Sequence, residues 1–230
     1  MEPVDPRKPG LTARPETLPG SPGPVTHREA LRYGGRVSEL VAFVTRPCAG
    51  EIVNGDRALV LEQDEYRAFV VVDALGHGPI AHEAAAVAEE FLGRVELARG
   101  TLEVLEQLHQ AMRGSRGAAV TMVLQHGVEL EACGVGNVGI RLEGGTLPFV
   151  ASPGVVGGQV RRFRVATGGL SARARLYLYS DGISERFRPH DFHRLAPKEA
   201  CEALLVQHGK SHDDATVLIA DLESSQFSRE

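Results

Sequence analysis

Four aspartates carry the chemistry that this chain could do, each set where a hydrophobic run meets a small residue. They are Asp56 in Asn54-Gly55-Asp56, Asp73 after Val70-Val71-Val72, Asp181 in Ser180-Asp181-Gly182, and Asp213 in Asp213-Asp214-Ala215-Thr216. A carboxylate at the tip of a buried strand is costly unless something neutralises it. Several such carboxylates suggest a divalent cation, and hard oxygen ligands suit magnesium or manganese rather than zinc. A turn built on a small residue can also bring a backbone carbonyl to the ion. Ions held this way activate water and neutralise a phosphoryl oxygen, so a metal-dependent hydrolase is the leading reading. Any one Asp-Gly or Asn-Gly pair is an ordinary turn signal. The weight lies in their recurrence at strand ends, with no Ser-His-Asp set or reactive-cysteine motif competing.

These residues need strands to place them. Residues 57–61 and 68–72 predict two strands joined through a polar segment, the second apolar throughout and hence buried on both faces. A helix follows Gly78, with Pro79 tolerated in its first turn, and Ile80, Ala84, Val87, Phe91 and Val95 fall at helical spacing as an apolar stripe. A second helix runs to about Met112 with Leu105, Leu108 and Met112 inward. Residues 118–124, 128–133 and 138–142 then predict an antiparallel meander, with turns at His126-Gly127 and Gly144-Gly145. Residues 150–169 predict a glycine-rich loop with a short strand. Residues 175–179 and 217–220 predict strands, with a helix over 197–207 between them. Helices grouped between antiparallel strands point to an α+β sandwich, sheets inside and helices outside.

The chain has 230 residues, room for one sizeable domain. Residues 1–34 are expected to be a proline-rich disordered tail, since residues 1–24 hold seven of the 13 prolines (Pro3, Pro6, Pro9, Pro15, Pro19, Pro22, Pro24) and few apolar side chains. The folded domain is expected over 35–223, with a polar tail at 224–230. The formal net charge of -5 argues against a nucleic-acid partner. No apolar run is long enough to span a bilayer, so no membrane partner is expected. Cys48, Cys133 and Cys201 form no CxxC pair, and an odd, scattered set fits reduced thiols in a cytoplasm.

Five ordered motifs give the chain a family resemblance. They are Asn54-Gly55-Asp56, Asp73-Ala74-Leu75-Gly76-His77-Gly78, Gly134-Val135-Gly136-Asn137-Val138, Leu178-Tyr179-Ser180-Asp181-Gly182-Ile183-Ser184-Glu185 and Asp213-Asp214-Ala215-Thr216. In them the chain resembles PPM-type serine/threonine phosphatases, the protein phosphatase 2C superfamily. It looks closest to the bacterial branch with the sporulation stage II (SpoIIE-like) and stressosome feedback (RsbX-like) phosphatases. The resemblance implies a four-layer α-β-β-α sandwich with two central, mainly antiparallel sheets and two Mn²⁺ or Mg²⁺ ions at one end. Asp73 would bridge both ions and the Ala74 carbonyl would bind one. Asp181 and Asp213 would hold the other, and Asp56 would act partly through water. Asp214 and Thr216 would brace these ligands. The implied reaction is attack of a metal-bridging water on phosphoserine or phosphothreonine. The implied partner is a phosphorylated regulatory protein of a stress or partner-switching pathway, of the STAS (sulfate-transporter/anti-sigma-antagonist) type.

The chain also departs from that family. Ala74 stands where the family has glycine, and Leu75 where eukaryotic members have a histidine. Glu51 stands where they have a phosphate-binding arginine, and Asn137 where an aspartate serves a third metal. His77 is expected as a turn residue, and His190 and His193 as loop residues. Arg161, Arg162 and Arg164, with Arg173 and Arg175, could steer a phosphoprotein or simply charge a sheet edge. Leaving-group protonation and phosphate binding stay unassigned. The alternative is a catalytically weak PPM-like interaction module in the same kind of pathway. A metallohydrolase of small phosphate esters is a third reading.

Overall fold

A computed structural model describes residues 32–33 and 40–223. The expected tails at 1–34 and 224–230 lie outside them, apart from Arg32–Tyr33 (β1), which pairs in parallel with Val60 and Leu61. The other strands are Val41–Arg46 (β2), Asp56–Gln63 (β3), Tyr66–Ala74 (β4), Ala118–His126 (β5), Glu129–Val135 (β6), Gly139–Thr146 (β7), Val165–Tyr179 (β8) and Ala215–Glu223 (β9). The α-helices are Gly78–Leu92 (α1), Gly100–Ala111 (α2) and Pro197–His208 (α3).

Hydrogen bonding runs in the order β1-β3-β4-β5-β6-β8-β9-β2, with β7 also on β8. This continuous path folds into two sheets because β8 is long enough to serve both. Its first residues pair with β6, and Arg173 to Tyr179 pair with β9. One core lies between the sheets, around Val60, Phe69, Val71, Val123, Leu176, Leu178 and Leu218. A second lies under α1 and α2, around Leu59, Val70, Val72, Val120, Met122, Leu105 and Leu108. A third lies under α3, around Val44, Tyr177, Val217, Ile219 and Leu204. The result is the expected α+β sandwich of four layers, α-β-β-α.

The alternation of Val70 and Val72 with Phe69 and Val71 between two cores explains why β4 carries no polar face. Three readings of the elements change. The buried face of α1 is Ala81, Ala84, Ala85, Ala88 and Leu92, while Ile80 and Val87 are exposed. The alanines let the helix lie close on the sheet, so the larger residues face outward. The meander also stops after β6, since the chain turns at residues 136–138 and β7 joins β8 instead. Gly144 and Gly145 sit inside β7 at a register shift, where Gly144 takes φ +76°, and form a bulge rather than a turn. Strand β2 was not read from the sequence at all.

Candidate active site

Antiparallel pairing brings the start of one strand beside the end of its neighbour. The start of β3 therefore meets the end of β4, and Asp56 stands opposite Asp73. The end of β8 meets the start of β9, with the Ser180 N–H donating to the Thr216 carbonyl at 3.0 Å. This places Asp181, just after β8, beside Asp213, just before β9. Both pairs fall at one end of the sandwich, and all four aspartates meet there. Gly182 is required by this crossing, because a Cβ there would lie 1.8 Å from the Asp214 carbonyl oxygen.

Asp56 is fully buried. Its Oδ2 accepts from Ser180 Oγ at 2.7 Å, and its Oδ1 is buried without a hydrogen-bond partner. Burial first, then the Asp73 charge, holds the Asp56 carboxyl well above the usual carboxylate range, with the Ser180 bond opposing them. Asp73 is pushed up to about 7, by burial and then by Asp181 and Asp213. Asp181 is also raised, by burial and then Asp213, against the pull of Lys210 and a bond from Asn137 Nδ2 to its Oδ2 at 2.6 Å. Asp56, Asp73 and Asp181 are thus all raised, with Asp213 beside them, and Asp56 keeps one buried oxygen without a partner. The donors are all oxygen, which fits a hard divalent ion. Among the described residues, no three His, Cys, Asp or Glu side chains close around one point. Magnesium keeps several waters when bound and so can make do with few protein ligands.

Ala74 is the last residue of β4, extended, with its methyl in the core beneath α1. A Cβ is therefore no obstacle at this position. Asp214 acts as a brace, its Oδ1 accepting from the Cys48 N–H and its Oδ2 from the Gly55 N–H, both at 2.7 Å. Thr216 Oγ1 lies 2.6 Å from Thr45 Oγ1, which accepts from Asn54 Nδ2 at 2.5 Å. Sequence reasoning missed three members of this end: Ser180, which holds Asp56 and accepts from the Thr216 N–H at 2.9 Å; Lys210, whose Nζ donates to the Asp181 carbonyl at 2.5 Å; and Cys48. Ser180 stood inside a quoted motif, so only its role went unread. His77 Nδ1 lies 2.8 Å from Glu51 Oε1 at the exposed mouth.

Other candidates fall elsewhere. His190 and His193 stack on each other at 4.3 Å between ring centroids, away from the aspartates. Arg175 clamps Asp221 at 2.5 and 2.7 Å and donates to the carbonyls of Phe192 and Leu195, so it is structural. Arg161, Arg162 and Arg164 are exposed. A cavity of about 450 Å³ beside Glu143, Arg173 and Asp221 lies at the far end of β8 and β9 and holds none of the four aspartates.

No family model matches the chain. It is 22% identical over 179 residues to the phosphoserine phosphatase RsbX of Bacillus subtilis (strain 168), covering 75% of this chain and 89% of RsbX. Among solved structures, one described as "The bacterial stressosome: a modular system that has been adapted to control secondary messenger signaling" superposes with a TM-score of 0.71 at 26% identity, over 78% of this chain and 97% of that one. RsbX in complex with magnesium superposes with a TM-score of 0.69 at 20% identity, over 86% of this chain and all (100%) of that one. The four-layer fold with acidic groups gathered at one end of its paired sheets is that of the PPM-type protein phosphatases. Within that class, RsbX is similar to this chain in both sequence and fold.

Proposed function

We propose that this protein is a Mn²⁺- or Mg²⁺-dependent phosphatase of phosphoserine or phosphothreonine, acting in the cytoplasm on a STAS-type regulatory protein of a partner-switching or stress pathway. The observation that carries the metal dependence is the buried Asp56 Oδ1 without a partner, set beside Asp73, which in turn neighbours Asp181 and Asp213. Asp56, Asp73, the Ala74 carbonyl, Asp181 and Asp213 would hold two ions. Bound there, the ions would neutralise phosphoryl oxygens and lower the pKa of a water. The chain's own groups do the rest. Ser180 fixes one Asp56 oxygen so that the other stays available. Asn137 orients Asp181, and Asp214 ties the 48 and 55 backbone segments together behind the carboxylates. The likeness to RsbX and to a stressosome protein supports the substrate class. Three free, buried cysteines fit a reducing compartment. Among the described residues no helix is long and apolar enough to cross a membrane.

The test is phosphate release from a phosphoserine peptide and from a phosphorylated STAS protein, with Mn²⁺ or Mg²⁺ against chelator. Asp73→Asn should lower turnover by about a hundred- to a thousandfold, the scale of losing a group central to charge stabilisation. No metal-dependent release above that variant would sink the enzyme reading. One observation favours the alternative of an interaction module: Glu51, an acid bonded to His77, stands at the mouth where a phosphate must enter. Binding of the STAS protein without turnover would establish it.

A further inference from the structure

A dianionic phosphate entering this mouth meets carboxylates first, so the chain needs a cation at the rim. The turn after Asp73 offers two charged neighbours. A Cβ at Gly78 would lie 3.0 Å from Glu51 Oε1, so Glu51 covers Gly78, and His77 already occupies that carboxylate at 2.8 Å. Over Gly76, at φ +78°, lies the guanidinium of Arg116. A Cβ at Gly76 would stand 3.4 Å from its Cζ and 3.5 Å from both terminal nitrogens. Near-equal distances mean that the guanidinium plane lies flat over Gly76, in space a side chain would otherwise fill.

The strand ladder fixes where this is. Asp73 pairs with Ala119 and Ala74 with Ala118, and the Leu75 N–H then donates to the Gly117 carbonyl at 3.0 Å. Arg116 is the next residue, three positions beyond Asp73's partner and so roughly 10 Å along the strand direction. It is exposed, and among the described residues it has no ion-pair or hydrogen-bond partner. Four other cations near this end are committed. Lys210 donates to the Asp181 carbonyl. Arg57 holds Glu89 and the carbonyls of Asn54 and Asp56. Arg141 donates to the Glu185 carbonyl and lies over Phe187. Arg46 is buried and donates to the Lys210 carbonyl.

We propose that Arg116 is the substrate-phosphate residue of this site, its guanidinium above Gly76 receiving non-bridging oxygens of the incoming phosphoryl group. This rests on the phosphatase reading above. Planar, paired donors suit a phosphate better than the point charge of a lysine.

The experiment measures binding apart from turnover. Inorganic phosphate is titrated by calorimetry into the Mn²⁺-loaded full chain, wild type against Arg116→Ala and Arg116→Lys. A phosphoserine peptide is turned over in parallel, and melting temperatures check folding. Arg116→Ala should weaken phosphate binding and raise KM about tenfold or more at unchanged melting temperature, with Arg116→Lys restoring part of the loss. Wild-type phosphate affinity in Arg116→Ala would overturn the proposal, as would a lower kcat with unchanged KM. A wild type that binds phosphate through Arg116 but releases none from the peptide would fail the phosphatase reading while upholding this one.

Discussion

Ser180 shows how much of the site hangs on single atoms. Its hydroxyl donates to Asp56 Oδ2 and accepts from the Thr216 N–H, so it joins a β3 carboxylate to the β9 backbone. Ser180→Ala would remove a hydrogen bond from Asp56 Oδ2, leaving Thr216 beside the carboxyl, and would leave a buried N–H without a partner. Such a group costs about 1–3 kcal/mol when orphaned. If an ion sits where Asp56 Oδ1 is exposed to it, the loss of the orienting bond should also weaken metal affinity by about 10–100-fold. Urea melts and a Mn²⁺ titration of the same variant read both effects, and unchanged affinity would mean that Asp56 does not approach the ion. The aspartates themselves were legible in the sequence, because carboxylates at the ends of apolar runs have few explanations. Ser180, Lys210 and Cys48 were not. A hydroxyl, an ammonium or a backbone N–H is unremarkable until the partner strand is known, and these partners lie dozens of residues away or more.

Elements were legible where burial imposed a period and illegible where packing chose between periods. The apolar run of β4 announced two buried faces, and the cores on either side bear it out. Helix α1 did not announce its inner face, because Ile80, Ala84 and Val87 satisfy helical spacing as well as Ala81, Ala84, Ala85 and Ala88 do. The close seat of the helix on β3 and β4 decides for the alanines. A direct consequence is that Ala85→Leu should cost about 1–3 kcal/mol by overpacking, while Ile80→Ser, on the exposed face, should stay within about 0.5 kcal/mol. Denaturant midpoints distinguish these, and the reverse order would put the helix on its other face. The β2 strand escaped notice because it is short and ends in Thr45 and Arg46, polar residues that look like a loop. In the fold Thr45 faces Thr216, and Arg46 is buried against the Lys210 carbonyl. Turning β7 onto β8 rather than β6 is likewise a matter of the whole sandwich, since a glycine-rich turn permits either.

At the scale of the whole molecule, the two sheets are closed at one end by groups that repel each other. In the metal-free fold Asp73 is pushed up to about 7, and Asp56, Asp181 and Asp214 are also raised. The unfolded chain releases these protons near pH 4. Between about 4 and 7 the folded state therefore holds protons that the unfolded state has lost, and stability falls as pH rises through that window. The chelated protein should melt highest near pH 5 and progressively lower towards pH 7.5. A divalent ion binds the deprotonated carboxylates, so loading should flatten or reverse that slope. At a free ion concentration of 100 times Kd, mass action adds about 2.7 kcal/mol. For a domain of this size that is roughly 5–10 °C in Tm. Scanning calorimetry from pH 5 to 7.5, with chelator and with Mn²⁺, measures both quantities in one series. A melting temperature that ignores both pH and Mn²⁺ would mean that the four aspartates do not share a cation, and the metal reading of the site would fall with it.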